Sequence, residues 1–284
     1  MRTYKFGCLG KDVPVIGQGT WNLPERGEAV AEARKALRLG LDLGMTHIDT
    51  AEMYGGGRAE ELIAGAISGF PREQLFIVSK VLPDHASYDG TIEACEKSLL
   101  RLKVDYIDCF LLHWRSRYPL SQTMGALEQL QDDGKIKSFG VSNFDIDDIK
   151  EAQAVLKKHP IVCNQVLYNL RNRGIERRLI PFCNDSGIAL VGYTPFGQRA
   201  LPTLRTAGGA VLGEVASKHK ATVPQIILAF LVRDKNLFAI PKSQTQDHTR
   251  ENAEAGDLIL DQEDIVMIND AFPAPDRDVP LAML

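Results

Sequence analysis

What this sequence lacks narrows it quickly. No uninterrupted apolar run approaches the roughly 20 residues that a membrane helix needs, so no membrane partner is expected. The opening MRTYKFGCLGK carries no apolar signal core, and a cytoplasmic location is the expectation. Five cysteines, Cys8, Cys95, Cys109, Cys163 and Cys183, form no CxxC pair. An odd, scattered set fits a reducing compartment better than a disulfide framework. Cys109 and Cys163 lie inside apolar runs and read as core fillers, not nucleophiles. Charge of one sign is lacking too: a formal net charge of -4 gives no pull toward nucleic acid or anionic lipid. HxH spacing and carboxylate-bridged ligand sets are missing, so a metal hydrolase finds no support. No Pro/Gly/Ser-rich linker or charge run divides the chain, and residues 1–284 are expected to form one domain.

What is present is alternation. Short β-rich runs (VIGQGT, MTHIDT, LFIVSK, DYIDCFLLH, SFGVSN, IVCNQV, ALVGY and LFAIP) are separated by segments with helical apolar spacing. Helical examples begin at Ala29, Thr91 and Thr123, and several close on a glycine, Gly44, Gly134 or Gly187, as a helix C-terminus often does. Continuous apolar strands alternating with helices argue for parallel strands buried on both faces. The expected fold is therefore α/β, a (β/α)8 TIM barrel, because eight such units with right-handed crossovers leave few alternatives. Two parts stand outside the repeat. Tyr4 to Val15 reads as a β-hairpin, turning at Gly10-Lys11 or Lys11-Asp12, that plugs the barrel bottom. An extra C-terminal helix near Gln262 to Ala271 precedes a Pro-rich tail.

The residues ending these strands are chemically selective: Thr20-Trp21, Asp49, Lys80, His113, Ser142-Asn143, Gln165, Tyr193 and Lys242-Ser243. In a barrel these ends surround one mouth, where such enzymes keep their chemistry. A buried Lys80 needs a partner, and Asp49 is the obvious one. An ammonium near Tyr54 favours phenolate, so the phenol pKa is expected to fall from about 10 toward neutrality. A phenol so tuned donates a proton, and His113 orients or polarises a substrate oxygen. That set fits carbonyl reduction, where an alkoxide develops as hydride arrives. Singly, each residue has a plainer reading: a hydrogen-bonded structural His, a solvated loop Lys or Asp, a packing Tyr. Their coincidence at successive strand ends favours chemistry. A Schiff-base lyase using Lys80 is the competing enzyme class; it needs a neutral amine, which the Asp49 pairing opposes.

The segments GMTHIDTAEMYGGG, LFIVSK, DYIDCFLLHW, GKIKSFGVSNF, NQVLYN and AIPKS, in that order from Gly17 to Asn252, resemble the aldo/keto reductase family. The resemblance implies a catalytic tetrad of Asp49, Tyr54, Lys80 and His113, with Tyr54 as general acid and Lys80 and Asp49 tuning it. It also implies an extended NADPH/NADP+. On that resemblance Gly19, Thr20 and Asp49 lie on the cofactor side, and Ser142, Asn143 and Gln165 hold the carboxamide. Tyr193 stacks on the nicotinamide, while Pro195, Phe196 and Gln198 belong to a loop around the pyrophosphate. Lys242 and Ser243 take the 2′-phosphate, and Glu251 and Asn252 lie near the adenine. Lack of a GxGxxG fingerprint agrees with barrel rather than Rossmann binding.

One position departs from the family pattern: His248 stands where many members have Arg, with Arg250 two residues on. Histidine is charged only near or below its pKa, so NADPH preference over NADH is less fixed than the fold. AEMYGGG, NQVLYNLRNRGIE and AIPKSQTQDH resemble most the bacterial methylglyoxal reductase and 2,5-diketo-gluconate reductase-like branch. Small aldehydes, ketones and α-dicarbonyls are the expected substrates, against Trp21, Tyr54, His113 and Trp114, with Met53 also at the mouth. Arg115 and Arg117 are either solvated loop charges or an attraction for a carboxylate-bearing substrate. A monomer or weak oligomer is expected. A regulatory cofactor-binding module of the same fold is the remaining alternative.

Overall fold

The computed structural model describes residues 1–198 and 201–284. A two-stranded antiparallel sheet, β1 (Thr3–Lys5) and β2 (Asp12–Pro14), precedes the eight-stranded parallel sheet. Its strands are β3 (Gln18–Gly19), β4 (His47–Asp49), β5 (Phe76–Val81), β6 (Cys109–Leu112), β7 (Phe139–Ser142), β8 (Ile161–Leu167), β9 (Ala189–Tyr193) and β10 (Leu237–Ala239). Spatial order follows sequence order from β3 to β10. The sheet closes on itself, since Gly17 N donates to Ala239 O at 2.8 Å and Gly19 N to Pro241 O at 3.0 Å.

Helices α1 (Glu28–Asp42), α2 (Arg58–Ile67), α3 (Tyr88–Leu102), α4 (Leu120–Asp132), α5 (Ile146–Val155) and α6 (Leu179–Asp185) each return the chain to the next strand. The repeat then departs from expectation. Two helices, α7 (Ala207–His219) and α8 (Val223–Leu231), lie between β9 and β10, and α7 packs against the extra helix α10 (Gln262–Ala271). Only α9 (Gln246–Ala255) follows β10 within the barrel repeat. Gly44, Gly134 and Gly187 take φ of 89°, 74° and 66° at the helix ends where the sequence placed them.

Side-chain alternation explains what faces inward. Successive strand residues point to opposite faces, and one buried cluster holds Phe76 and Val78, Cys109 and Leu111, Ala189 and Val191, Phe238 and Ile240. These are the barrel-interior positions. Their neighbours two residues on are Lys80, His113, Tyr193 and Lys242, so the same alternation aims those four at the upper mouth. Opposite-parity residues such as Ile77, Phe110, Leu112, Phe139 and Val141 pack outward against the helices.

The hairpin fills the other end, as expected, but its turn does not fall at either predicted dipeptide. Residues Gly7–Leu9 form a 3-10 turn, Gly10 is left-handed at φ 70°, and Phe6 N donates to Lys11 O at 2.9 Å. The wider loop lets Phe6 enter the barrel, 4.7 Å from the Phe76 ring and 5.0 Å from Phe238 between centroids. Gly7 has to be glycine for this approach: a Cβ there would sit 2.5 Å from Val162 O. Lys11 then ties the plug to buried Asp108 at 2.9 Å.

Candidate active site

The four predicted tetrad residues meet at the upper end of β4 to β6. Lys80 Nζ donates to Asp49 Oδ1 at 2.8 Å, to the Thr50 carbonyl at 2.7 Å and to Tyr54 Oη at 3.3 Å. Those three acceptors match the three protons of an ammonium. The Tyr54 and His113 rings stand edge to face, 5.7 Å between centroids. Tyr54 arrives on a short 3-10 turn, Tyr54–Gly57, whose glycines Gly55, Gly56 and Gly57 are left-handed at φ 60°, 62° and 92°. Side chains rarely tolerate three such residues in a row, and a Cβ on Gly57 would lie 2.6 Å from Arg101 Cδ. The turn is anchored on both sides. Glu52 accepts from Leu82 N at 2.6 Å, and fully buried Glu60 takes Ser79 Oγ at 2.7 Å and Arg101 Nε at 2.5 Å.

Burial dominates the electrostatics. It raises the Asp49 carboxyl, against the pull of Lys80, yet the hydrogen-bond pattern argues for an ion pair. Asp49 accepts from Lys80 and from Gln165 Nε2 at 2.6 Å, leaving no donor role for its oxygens. Burial also acts to lower Lys80, but Asp49 and then Tyr54 outweigh it, and its net direction is up. Tyr54 corrects the expectation from sequence. Its phenol pKa is raised, not lowered: burial is the largest cause, Lys80 opposes it, and the Asp49 charge adds to it. His113 is pushed down to about 2 by burial and then by the Lys80 charge, so its ring is neutral at physiological pH.

A cavity of about 640 Å³ opens here and brings most of the predicted residues together. Its wall includes Gly19, Thr20, Trp21, Asp49, Tyr54, His113, Trp114, Ser142, Asn143, Gln165, Tyr193, Pro195, Phe196, Gln198 and Lys242. Asn143, left-handed at φ 60°, donates to His113 O at 3.2 Å and accepts from Tyr193 Oη at 2.8 Å. Ser243, His248, Glu251 and Asn252 do not line it. Ser243 Oγ is engaged with Thr245 O at 2.8 Å, His248 is exposed in the first turn of α9, and Asn252 is buried. Arg115 is held by Glu151 at 2.7 Å and Asp148 at 3.4 Å, and neither it nor Arg117 lines the cavity.

Three contributors escaped the sequence reading. Gln165 was assigned to the cofactor alone, yet it also braces Asp49. Asn22 lines the wall and its carbonyl accepts from Gln244 Nε2 at 3.0 Å, a contact made across 222 residues of sequence. Leu284 lines the same cavity although no motif marks it. Thr50, whose carbonyl accepts from Lys80, directly follows the strand-end Asp49 in the sequence.

Comparisons with known proteins agree with this geometry. The family model for the aldo/keto reductase family matches residues 15–272. The chain is 38% identical to methylglyoxal reductase YeaE of Escherichia coli (strain K12) over 96% of this chain and 95% of that protein. It is 35% identical to glyoxal reductase of Bacillus subtilis (strain 168), over 95% and 93% of the two chains. A crystal structure of an aldo-keto reductase from Klebsiella pneumoniae in complex with NADPH superposes with a TM-score of 0.93 at 38% identity, covering 100% of this chain and 99% of that one. The chain belongs to the aldo/keto reductase family.

Proposed function

We propose that this protein reduces small aldehydes and α-dicarbonyls with NADPH, Tyr54 giving the proton to the carbonyl oxygen. The observation that carries the reading is the direction of one hydrogen bond. Lys80 Nζ donates to Tyr54 Oη, so the phenol's own proton remains free to be donated into the cavity. Raised by burial, the phenol stays protonated through neutral pH, as a donor in the reductive direction must be. As it releases the proton, the phenolate forms against the Lys80 ammonium, whose charge is balanced by Asp49 and whose position is fixed by Thr50. The neutral His113 ring has its Nδ1 buried without a partner. A tautomer with the proton on Nε2 leaves only an unfilled acceptor buried and offers an N–H to the substrate oxygen.

The residues present suit NADPH, which the Klebsiella relative holds. The cofactor would supply the hydride when bound. Ser142 and Asn143 offer polar groups for an amide, and the Tyr193 ring stands beside them. Lys242 is the cation suited to a phosphate. Burial lowers its pKa, and among the described residues no carboxylate pairs with it. Small dicarbonyls are favoured because the E. coli and B. subtilis relatives are named for methylglyoxal and glyoxal. A Schiff base on Lys80 is disfavoured, because its nitrogen is fully buried with every proton engaged.

The test is NADPH consumption with methylglyoxal and simple aldehydes, in wild type and in Tyr54→Phe. Loss of general-acid catalysis should lower kcat by about 10²–10⁴-fold, with NADPH affinity retained in fluorescence titration. Residual turnover near wild type would remove Tyr54 from the role.

A further inference from the structure

We propose that Asp278, clasped by Arg177 and Arg178, is a specificity-determining residue: it holds the C-terminal segment at the cavity mouth and so limits the size of carbonyl compound admitted. The proposal rests on the carbonyl-reductase reading of that cavity. The segment after α10 has no regular structure, and among the described residues no backbone–backbone hydrogen bond involves residues 273–284. Its place is therefore set by other contacts, and those of its first half come from one short stretch of chain, Arg173 to Arg178. Arg173 donates to Phe272 O, Arg177 Nη1 to Asp276 O at 2.9 Å, and Arg177 Nε to Asp278 Oδ1 at 2.6 Å. Arg178 reaches the second oxygen, Asp278 Oδ2, at 3.2 Å.

The two ends of the contact are unequal. Arg173 is a fixed post, buried and pinned by Glu176 at 2.7 Å and Asn269 at 2.6 Å. Arg177 makes its polar contacts with the tail, and its pairing with Asp278 is exposed. Just beyond the clasp, Val279 packs onto Gly174, where a Cβ would sit 2.4 Å from Val279 Cγ2. Leu281 then packs against the main core, and Leu284 joins the cavity wall with Tyr193, its backbone acting on the Tyr193 hydroxyl. The clasp thus lies six residues before a cavity-wall residue, with no backbone ladder to hold the intervening chain.

Releasing the clasp lets the wall at Leu284 move outward. Bulky aldehydes then gain relative to small ones, while the Tyr54–Lys80 chemistry and the Lys242 end of the cavity are untouched. Exposed ion pairs have modest strength, so a change of about threefold in the selectivity ratio is expected. Such pairs are also screened by salt.

The experiment measures kcat/KM for 3-phenylpropanal and for methylglyoxal in wild type, Asp278→Asn, Arg177→Met and Asp278→Glu, with Tm and NADPH affinity alongside. The expected result is a ratio of bulky to small raised about threefold in Asp278→Asn and Arg177→Met, close to wild type in Asp278→Glu, at unchanged NADPH affinity. The wild-type ratio should also climb with ionic strength, and the Asp278→Asn ratio should not. A ratio that stays at the wild-type value in Asp278→Asn, or falls, overturns the clasp. Wild-type protein that turns over neither aldehyde overturns the carbonyl reading and this proposal together.

Discussion

Lys80 is the residue on which the site turns, because it is fully buried and makes three polar contacts at once. Lys80→Met should abolish turnover and leave the Asp49 carboxylate buried without its counter-charge. Breaking one side of a buried pair typically costs about 3–5 kcal/mol, so urea unfolding should show a large loss beside the kinetic one. Tyr54 makes a separate prediction. Because burial raises its pKa, carbonyl reduction should not lose kcat as pH rises from about 6 to 9. A falling limb centred near neutrality, which the sequence alone suggested, would contradict the raised value. At the far end of the cavity, Lys242→Met should lower the preference for NADPH over NADH by about tenfold or more, the value of one charge-assisted hydrogen bond. Equal affinity ratios before and after the change would exclude Lys242 from the phosphate contact.

At the scale of elements, the hairpin and the strands do different jobs. Phe6 on the hairpin loop packs with Phe76 and Phe238 at the barrel end away from the mouth. Phe6→Ala should cost about 3–5 kcal/mol in stability and leave kcat close to wild type, because no active-site residue touches it. A large kcat loss at temperatures where the variant is folded would show that the plug reaches the chemistry. The strands place function by parity: the interior series Phe76, Val78, Lys80 and Cys109, Leu111, His113 are apolar until their last member. Of the two polar ends, Lys80 is fully buried and tolerated through its pairing with Asp49, and His113 lines the cavity. The loop after β4 instead depends on three left-handed glycines to turn Tyr54 back toward Lys80.

The whole molecule carries a pH liability inside the closed barrel. His47 is fully buried among Phe6, Phe76 and Phe238, with no well-formed hydrogen bond at either ring nitrogen. Burial pushes its pKa down to about 3, with the Pro14 backbone opposing and the Lys80 charge adding to it. His113 is lowered to about 2. In the unfolded chain both titrate near 6.5. Between about 6.5 and 3 the unfolded state binds more protons, so stability is lost as pH falls through that window, by up to about 1.4 kcal/mol per pH unit per group. Urea midpoints measured from pH 7 down to 4 should therefore decline, and less steeply in His47→Leu. Parallel declines in the two proteins would place the acid sensitivity elsewhere.

Sequence alone determined the barrel and the identity of the reacting groups. Strand and helix periods are local, as are the glycines Gly44, Gly134 and Gly187 that end helices, so they are legible without tertiary contacts. Strand-end position likewise brings Asp49, Lys80 and His113 to one mouth from the sequence alone. The motifs that resemble the family marked Tyr54 and the line from Ser142 to Lys242. Tertiary structure decided the rest. Whether the Tyr54 pKa rises or falls is a contest between burial and the Lys80 charge, and burial is a property of the assembled site. Gln165 braces Asp49 across 116 residues, a pairing that no local pattern records. Leu284 reaches the cavity wall after a clasp of single side chains, without the backbone periodicity that makes an element readable in sequence.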